Sequence, residues 1–283
     1  MPMEKIAISS ESSLDLKKDE AAKYHIHIIP YTLIFGDESA LDGEYGAKDI
    51  FAYTAKTGKL AKTSAINAEE YRKRFEDLLK DHDYLIHFCI GAKISSTYEH
   101  ALEAAESFGG KVHIVNSLNL SGGIALQAIY ARELIEQGKS FKEVCDIIDE
   151  RAKYMHGSFA LESVDYLYKG GRCNALAMLG ANLLKLRPQI LLSDGRMVCG
   201  KKFRGKKEKW VFDYLEETLT ANKNMDLTRV FVAYTEIDQD LLDKAYARLK
   251  EFGFKEIILH EAMGTISCHA GPGTFGIFFY NDK

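Results

Sequence analysis

Short apolar runs alternate with amphipathic helical patterns through the first half of this chain. Residues 5–9, 84–90 and 111–115 have the composition of buried strands. Residues 68–80 and 97–108, which lie between them, place their apolar side chains on one helical face. Strands that are joined through helices usually run parallel, with the helices covering the sheet. The first half is therefore predicted to be a largely parallel sheet covered on both faces.

The second half has a different pattern. Residues 158–162 read as a strand, and residues 189–192 and 197–202 read as an antiparallel hairpin. Residues 175–186 predict an apolar helix that ends before Pro188, because proline cannot continue a helix. Further strands and helices follow in mixed order, which favours a mixed sheet.

The chain length favours two domains. The sequence has 283 residues, which is more than one hydrophobic core usually fills. The boundary is expected near residues 155–158, where the pattern changes. Residues 1–156 are thus predicted to form one α/β domain and residues 157–283 a second one.

Composition and charge exclude several classes of protein. A net charge of −4 lacks the basic excess of a nucleic-acid-binding protein. The five cysteines are far apart and form no CxxC pair, which predicts free thiols in a reducing compartment. No leader is evident at the start, and no apolar stretch approaches the roughly 18 residues of a membrane span. We expect a cytoplasmic protein with no stable membrane insertion.

Four polar or glycine-rich segments lie beside predicted strand ends, where functional groups of α/β proteins gather. Each segment also has a structural explanation, because hydroxyl residues cap helices, glycines end them and Gly-Pro-Gly forms a turn. The segments are Lys62-Thr63-Ser64, Ile94-Ser95-Ser96-Thr97, Tyr168-Lys169-Gly170-Gly171-Arg172 and Ser267-Cys268-His269-Ala270-Gly271-Pro272-Gly273.

Catalytic and metal-binding motifs of fixed spacing are missing. Gly138-Lys139-Ser140 ends like a phosphate-binding loop, but position 133 is Glu where the upstream glycine would stand. His25 and His27 face one side of a predicted strand without a third ligand, which favours packing or surface roles. The sequence therefore predicts no ATP site, no cofactor and no metal site.

Seven segments, in the correct order along nearly the whole chain, resemble the DegV family of bacterial fatty-acid-binding proteins. Glu11-Ser12-Ser13-Leu14-Asp15-Leu16 is similar to the family's opening Asp-Ser-x-x-Asp-Leu, with Glu11 in place of Asp. Ala65 and Ile66 replace the family's Gln-Pro after Thr63-Ser64. The remaining segments are Ile94-Ser95-Ser96-Thr97-Tyr98, Asn116-Ser117 with Ser121 and Gly123, Tyr166-Leu167 with Gly170-Gly171-Arg172, Phe203-Arg204-Gly205-Lys206-Lys207 and His269-Ala270-Gly271-Pro272-Gly273.

The resemblance implies two different α/β domains, the first a three-layer domain with a parallel sheet and the second a two-layer domain with a mixed sheet. It implies that the first domain holds the tail of one long-chain fatty acid and that the second closes over the head group. A separate ATP-dependent fatty acid kinase would then make the acyl phosphate, so this chain would be a non-catalytic carrier in phospholipid synthesis. The residues implied for the carboxylate are Thr63, Ser64, Ser95, Ser96, Arg172 and His269, and those for kinase docking are Arg204, Lys206 and Lys207.

Hydroxyl donors suit this role because a buried carboxylate is costly unless it is hydrogen-bonded or paired. Small donors also leave one carboxylate oxygen open to phosphorylation. Burial of a sixteen-carbon tail contributes about 12 kcal/mol before immobilisation costs, at roughly 0.8 kcal/mol per CH₂.

Two other functions stay open at this point. A stand-alone acyl ester hydrolase would use Ser95 or Ser96 as nucleophile and His269 as base, although no acidic partner for His269 is evident. A DNA-binding regulator would use the basic cluster, although the net charge of −4 opposes this reading. The cluster consists of Lys201, Lys202, Arg204, Lys206, Lys207 and Lys209.

Overall fold

The computed structural model describes residues 4–172 and 186–282, so most of the helix predicted at 175–186 lies outside the described residues. Within those ranges the strands build three sheets. The strands are β1 (Ile6–Glu11), β2 (Ile26–Ile29), β3 (Thr32–Phe35), β4 (Glu38–Leu41), β5 (Lys62–Ser64), β6 (Tyr84–Cys89), β7 (Val112–Asn116), β8 (Met155–Ala160), β9 (Arg187–Ser193), β10 (Arg196–Phe203), β11 (Met225–Tyr234), β12 (Glu256–Glu261) and β13 (Phe275–Asn281). The helices are α1 (Lys18–Lys23), α2 (Ala47–Thr57), α3 (Ala68–Leu78), α4 (Thr97–Ala105), α5 (Gly122–Glu136), α6 (Phe141–Arg151), α7 (Asp165–Lys169), α8 (Lys207–Ala221), α9 (Gln239–Phe252) and α10 (Gly264–Ala270).

The first sheet is parallel throughout, in the order β2-β1-β6-β7. Helices α3 and α4 cover one face, where Tyr71, Phe75 and Ala101 pack against Leu85. Helices α5 and α6 cover the other face. The prediction of a three-layer arrangement with a parallel sheet is confirmed.

The second sheet is mixed, in the order β10-β9-β8-β13-β11-β12. Only the β11–β12 pair is parallel among its described pairs. Helices α8 and α9 cover one face through Trp210, Leu215 and Leu249, which are almost fully buried. The predicted mixed sheet is confirmed, and a small antiparallel sheet of order β4-β3-β5 accompanies it.

Helix α5 lies between the two large sheets and packs against both of them. It contacts β1 and β6 on one side and β8, β11 and β13 on the other. Two arginines strengthen this junction: Arg229 pairs with Glu133 at 2.8 Å, and the Arg151 guanidinium lies 4.3 Å from the ring centres of Tyr130 and Tyr280. One hydrophobic core therefore joins the two halves, and the division at 156/157 stays a prediction.

The apolar run at residues 25–35 predicts one strand, but the structure contains two. Strand β2 belongs to the parallel sheet and β3 to the small antiparallel sheet. Pro30 lies between them and has no N–H to donate to a strand ladder. The Tyr31 N–H donates to Ser12 Oγ at 3.1 Å instead of to a strand. The break directs Tyr31 towards the cavity described below.

Two further elements differ from the sequence prediction. The pattern at residues 14–23 predicts one helix, but α1 begins at Lys18 because Asp15 is left-handed, with a φ of 60°. The segment at 267–273 predicts a loop, but its first part is the end of α10. The N–H groups of Gly264 and Thr265 start this helix by donating to the buried Asp42 at 2.8 and 3.0 Å.

None of the helices in residues 4–172 and 186–282 has the length and apolar character that crossing a bilayer requires.

Candidate functional site

A cavity of about 420 Å³ lies beside the segments that follow strands β2 and β6. Its apolar walls come from both halves of the chain. Ile90 and Leu120 contribute from the first half, and Phe159, Ala233 and Phe278 contribute from one face of the mixed sheet. Ligand pockets of α/β proteins commonly lie at the carboxyl ends of parallel strands, with volumes of about 300–1,000 Å³. The cavity has the position and size of such a pocket.

The residues predicted for a carboxylate converge on this cavity, with one exception. Thr63, Ser95, Ser96, Arg172 and His269 all line it. They come from β5, from the two residues before α4, from the segment that follows α7 and from α10, and sequence distances of up to 206 residues separate them. The grouping that the resemblance implies is therefore present for these five side chains.

Ser64 does not join them. In the antiparallel β3–β5 pair, Thr63 lies opposite the buried Leu33, whereas Ser64 lies opposite Thr32. Successive side chains of a strand point to opposite faces. Ser64 is accordingly exposed on the outer face, and it is not among the residues that line the cavity.

Thr63 and His269 form a direct contact at the cavity wall, with 3.1 Å between Thr63 Oγ1 and His269 Nε2. Gly170 allows His269 to come this close, because a Cβ at position 170 would lie 2.7 Å from His269 Nδ1. Arg172 stays nearby by donating from Nη1 to the Gly170 carbonyl at 2.9 Å. Burial, together with the Arg172 cation, lowers the pKa of His269 to about 4. The imidazole is thus neutral at neutral pH.

A buried carboxylate, Glu11, supports the other side of the site. Glu11 has no exposed surface and accepts hydrogen bonds from Tyr71 Oη at 2.6 Å and Tyr31 Oη at 3.2 Å. The Ser13 hydroxyl and the Ile90 N–H also donate to it, each at 3.1 Å. Burial raises the pKa of Glu11, and hydrogen bonds from Tyr71, the Ile90 N–H, Thr97 and Ser13 offset only part of this increase. Glu11 belongs to the first motif of the family resemblance, but the resemblance implied no function for it. The sequence sign of its importance was its position at the end of a predicted buried strand.

Ser95 connects this network to the cavity. Its Oγ lies 3.4 Å from Tyr31 Oη and 3.2 Å from Thr97 Oγ1. Tyr31 also lines the cavity, whereas Thr97 is fully buried behind it. A continuous chain of hydroxyl groups therefore runs from a buried carboxylate to the cavity wall.

Glu11, His87 and Cys89 each place a possible metal ligand within 4.8 Å of one another. Glu11 already accepts from the four donors above, and His87 Nδ1 lies 2.8 Å from Ser9 Oγ, whereas His87 Nε2 is buried without a hydrogen-bond partner. Burial raises the pKa of the Cys89 thiol, whereas a thiol ligand must be deprotonated. We assign no metal to this group.

The predicted docking residues lie close to the turn that follows α10. Arg204 and Lys206 are exposed after β10, at the start of α8. Lys207 Nζ donates to the Glu236 carbonyl at 3.1 Å, and it would lie 3.5 Å from a Cβ at Gly273. The basic loop, which consists of Arg204, Lys206 and Lys207, therefore borders the Gly271-Pro272-Gly273 turn. Whether a kinase binds there stays a prediction.

The depressed pKa of His269 predicts a specific loss of stability in acid. In the unfolded chain a histidine becomes protonated near pH 6.5, whereas in the ligand-free folded protein His269 becomes protonated only near pH 4. The unfolded state therefore binds more protons than the folded state between these pH values. Between pH 6.5 and 5, His269 is expected to remove about 2 kcal/mol from the free energy of unfolding. Urea unfolding of the delipidated protein and of His269→Gln across this pH range measures the difference. Parallel pH profiles for the two proteins would contradict the prediction.

Two unlike sheets with their helices surround a cavity that has apolar walls and a group of hydroxyl, imidazole and guanidinium side chains. This is an α/β protein with a pocket of the kind that holds small molecules. Comparison of the sequence with known protein families identifies the family. The model of the family described as "uncharacterised protein, DegV family" matches residues 5–282, and this chain belongs to the DegV family.

Several related proteins are similar to this chain over nearly their whole length. The fatty acid-binding protein of Thermotoga maritima is 28% identical over 281 residues, which cover 96% of each chain. A solved structure of a hypothetical protein from Thermotoga maritima, reported to reveal fatty acid binding function, is 26% identical with a TM-score of 0.84, covering 99% of this chain and 100% of that one. The fatty acid kinase B3 protein of Streptococcus pneumoniae, loaded with linoleic acid, has a TM-score of 0.84 at 22% identity, covering 98% of this chain and 100% of that one, and shares the fold.

Proposed function

We propose that this protein binds one long-chain fatty acid and presents its carboxylate to a separate ATP-dependent kinase, without catalysing a reaction itself. The observation that carries the proposal is the Thr63–His269 contact of 3.1 Å at the wall of a cavity with apolar surfaces from both sheets. The description of the Thermotoga maritima relatives as fatty acid-binding proteins supports the choice of ligand.

The head group is held by neutral donors with one cation nearby. The hydroxyls of Thr63 and Ser95 and the neutral His269 ring can each donate to a carboxylate oxygen. Arg172 supplies positive charge and Ser96 a further hydroxyl at the cavity wall. Ser64 faces away, so it has no part in this site. A carboxylate held by such donors stays ionised yet open on one side, as transfer of a phosphoryl group requires.

The tail occupies a pocket that both halves share. The sequence predicts an acyl pocket within residues 1–156, but the cavity also has Phe159, Ala233 and Phe278 in its wall. Each buried CH₂ contributes roughly 0.8 kcal/mol, so a long tail outweighs the cost of immobilisation. In this proposal the mixed sheet binds the ligand directly as well as closing over the head group.

The basic loop is the surface proposed for the kinase. Arg204 and Lys206 are exposed, and Lys207 lies beside Gly273, close in sequence to His269. Positive charge near a carboxylate that receives a phosphoryl group favours approach of nucleotide phosphates. The fold shared with the Streptococcus pneumoniae fatty acid kinase B3 protein is consistent with this role.

The geometry gives little support to the alternative functions. His269 Nε2 contacts Thr63 and not Ser95 or Ser96, and no acidic side chain in the described ranges bonds to its ring, where Nδ1 has no partner. The basic cluster is partly neutralised, since Lys201 pairs with Glu217 and Lys209 with Asp213. Neither an ester hydrolase nor a DNA-binding protein is favoured by these contacts.

Denaturing extraction followed by mass spectrometry tests the proposal. We expect about one fatty acid per purified chain, and rebinding of one equivalent by delipidated protein. Thr63→Val is expected to weaken hexadecanoate binding about tenfold, since a hydrogen bond to a charged group contributes about 1.5 kcal/mol. Ser64→Ala, the adjacent hydroxyl on the outer face, is the control and should bind like the natural protein. Folded protein that yields no lipid and binds none after incubation with saturated and unsaturated acids would refute the proposal.

A further inference from the structure

The small sheet of β4, β3 and β5 holds α10 at both of its ends. Asp42 directly follows β4, and its N–H donates to the Tyr31 carbonyl at 2.8 Å. Thr63 lies on β5, on the other side of β3. Helix α10 starts beside Asp42, and its last turn brings His269 Nε2 to 3.1 Å from Thr63 Oγ1. The helix therefore joins one side of this sheet to the other.

The length of α10 matches the width of the small sheet. Strands β4 and β5 are separated by β3, so they lie about 10 Å apart at roughly 4.8 Å per strand spacing. The helix rises about 7.5 Å from Gly264 to His269, and the side chains at its two ends cover the remainder. Cys268 and Leu33 of β3 belong to one buried cluster, so α10 crosses the inner face of the sheet. A shift or rotation at the start of so short a helix moves His269 at its end.

Asp42 uses both carboxylate oxygens to hold the start of α10. Oδ1 accepts from the Gly264 N–H at 2.8 Å, and Oδ2 accepts from the Thr265 N–H at 3.0 Å. Contacts at two successive residues fix the rotation of the helix about its axis, which one contact would leave free. Thr265 and His269 are four residues apart and share one helical face, and both line the cavity. Asp42 is buried and is not among the cavity residues, so it acts on the cavity only through the helix.

A second buried carboxylate holds the residue that precedes the helix. Asp15 Oδ1 accepts from the Met263 N–H at 2.7 Å, and the Ser121 hydroxyl donates to the other oxygen of Asp15. This contact would keep the segment attached if Asp42 lost one of its two acceptors. The helix could then turn about the Asp15 contact, so the orientation of α10 depends on Asp42 more than its attachment does.

We propose that Asp42 is a positioning residue for the fatty acid carboxylate, which it does not touch. It holds the start of α10 at two points, directs His269 towards Thr63 and so places these two donors side by side in the cavity wall. This inference rests on the proposed function, because it takes the carboxylate to lie at His269 and Thr63. Loss of one acceptor at Asp42 should weaken binding of the acid and leave the apolar part of the pocket intact.

Asp42→Asn tests the proposal, because an amide has one acceptor oxygen and a nitrogen that cannot accept. The affinity of delipidated protein for hexadecanoate is expected to fall about tenfold, the usual size of one lost hydrogen bond to a charged group. The affinity for 1-hexadecanol should fall about threefold at most, because its neutral head group gains less from His269. Glu143→Gln makes the same change at the exposed start of α6, and this control should bind both ligands normally.

Coupling to His269 separates positioning from a general loss of stability. In a His269→Gln background, Asp42→Asn should cost less than about twofold in hexadecanoate affinity, because the side chain that it positions is already gone. Histidine-selective NMR of the delipidated protein gives a second measurement. Burial, together with the Arg172 cation, lowers the pKa of His269 to about 4. A turned helix should raise this pKa, whereas loss of the Asp42 charge alone would lower it.

Gly264→Ala leaves the carboxylate in place and displaces the helix instead. A Cβ at position 264 would lie 2.5 Å from Leu33 Cδ1 and 2.8 Å from Asp42 Oδ1, so α10 must shift and the same acid-selective loss is expected. This variant takes the place of Asp42→Asn in all the measurements if the latter does not fold.

Three results in the folded variant would each overturn the proposal: equal losses for acid and alcohol, natural affinity for hexadecanoate, or an additive loss in the His269→Gln background. An unchanged His269 pKa in Asp42→Asn would refute this inference alone and leave the proposed function standing. Failure of the natural protein to bind hexadecanoate would instead refute the proposed function, and this inference with it.

Discussion

Ala233→Phe is expected to leave the protein folded and to lower its affinity for hexadecanoate at least 100-fold. Ala233 lies on β11 and pairs with Gly276 of β13, and both residues line the cavity. Its neighbours Val230 and Val232 belong to the core on the opposite face of the sheet, so a larger side chain at 233 extends into the cavity and not into that core. Excluding about four methylenes at roughly 0.8 kcal/mol each costs about 3 kcal/mol, which corresponds to about 100-fold.

The same substitution should stabilise the ligand-free protein, because a phenyl ring replaces empty space with apolar contacts. We expect an increase of about 1 kcal/mol in the free energy of unfolding of delipidated protein. Ala52→Phe, at an exposed position on α2, is the control for added hydrophobicity and should bind hexadecanoate normally. A folded Ala233→Phe protein that binds with natural affinity would show that the tail lies elsewhere.

Periodicity predicted the main layers of this fold because the information is local. The apolar run at residues 84–90 and the helical pattern at residues 97–108 specify β6 and α4 without reference to the remainder of the chain. The same reasoning failed at residues 25–35, where β2 and β3 have similar compositions but pair in different sheets. The only local sign of the break is Pro30.

The candidate site was accessible from sequence only through the order of its motifs. Thr63 and His269 are 206 residues apart, and no spacing rule connects them. They meet because β5 pairs with β3 and because Asp42 accepts a hydrogen bond from the N–H of Gly264 at the start of α10. Asp42 and Gly264 are 222 residues apart. Ser64 shows the limit of motif reasoning, since a one-residue step along a strand moves a side chain to the opposite face.

Buried polar groups were the part that the sequence did not reveal. Glu11 reads as an ordinary acidic residue at the end of a strand, yet it is fully buried with four donors around it. Hydrogen-bond partners from 60 and 79 residues away, Tyr71 and Ile90, make that burial tolerable. Composition cannot identify such partners, because they depend on the completed packing of β1 against α3 and β6.

Gly122→Ala is expected to lower the free energy of unfolding by about 3 kcal/mol, at the upper end of the roughly 1–3 kcal/mol that overpacking a rigid core typically costs. A Cβ at position 122 would lie 2.3 Å from Cδ1 and 2.8 Å from Cβ of Phe231, which is fully buried on β11. Rotation of the ring cannot relieve the contact with the Phe231 Cβ, so α5 must move away from the mixed sheet. Urea unfolding of delipidated protein measures the effect without the stabilisation that bound lipid adds.

Gly46→Ala is the matched control, because a Cβ there has no neighbour within 4 Å. It should cost less than about 1 kcal/mol, as is usual for exposed substitutions at a helix start. Phe231→Ala removes the ring atoms nearest to position 122, so Gly122→Ala should cost at least about 1 kcal/mol less in that background. Since α5 packs on both sheets, the loss in Gly122→Ala should appear as one cooperative transition at lower urea. Two separated transitions, or natural stability, would contradict the view that α5 fixes the two halves to each other and so keeps the cavity walls in register.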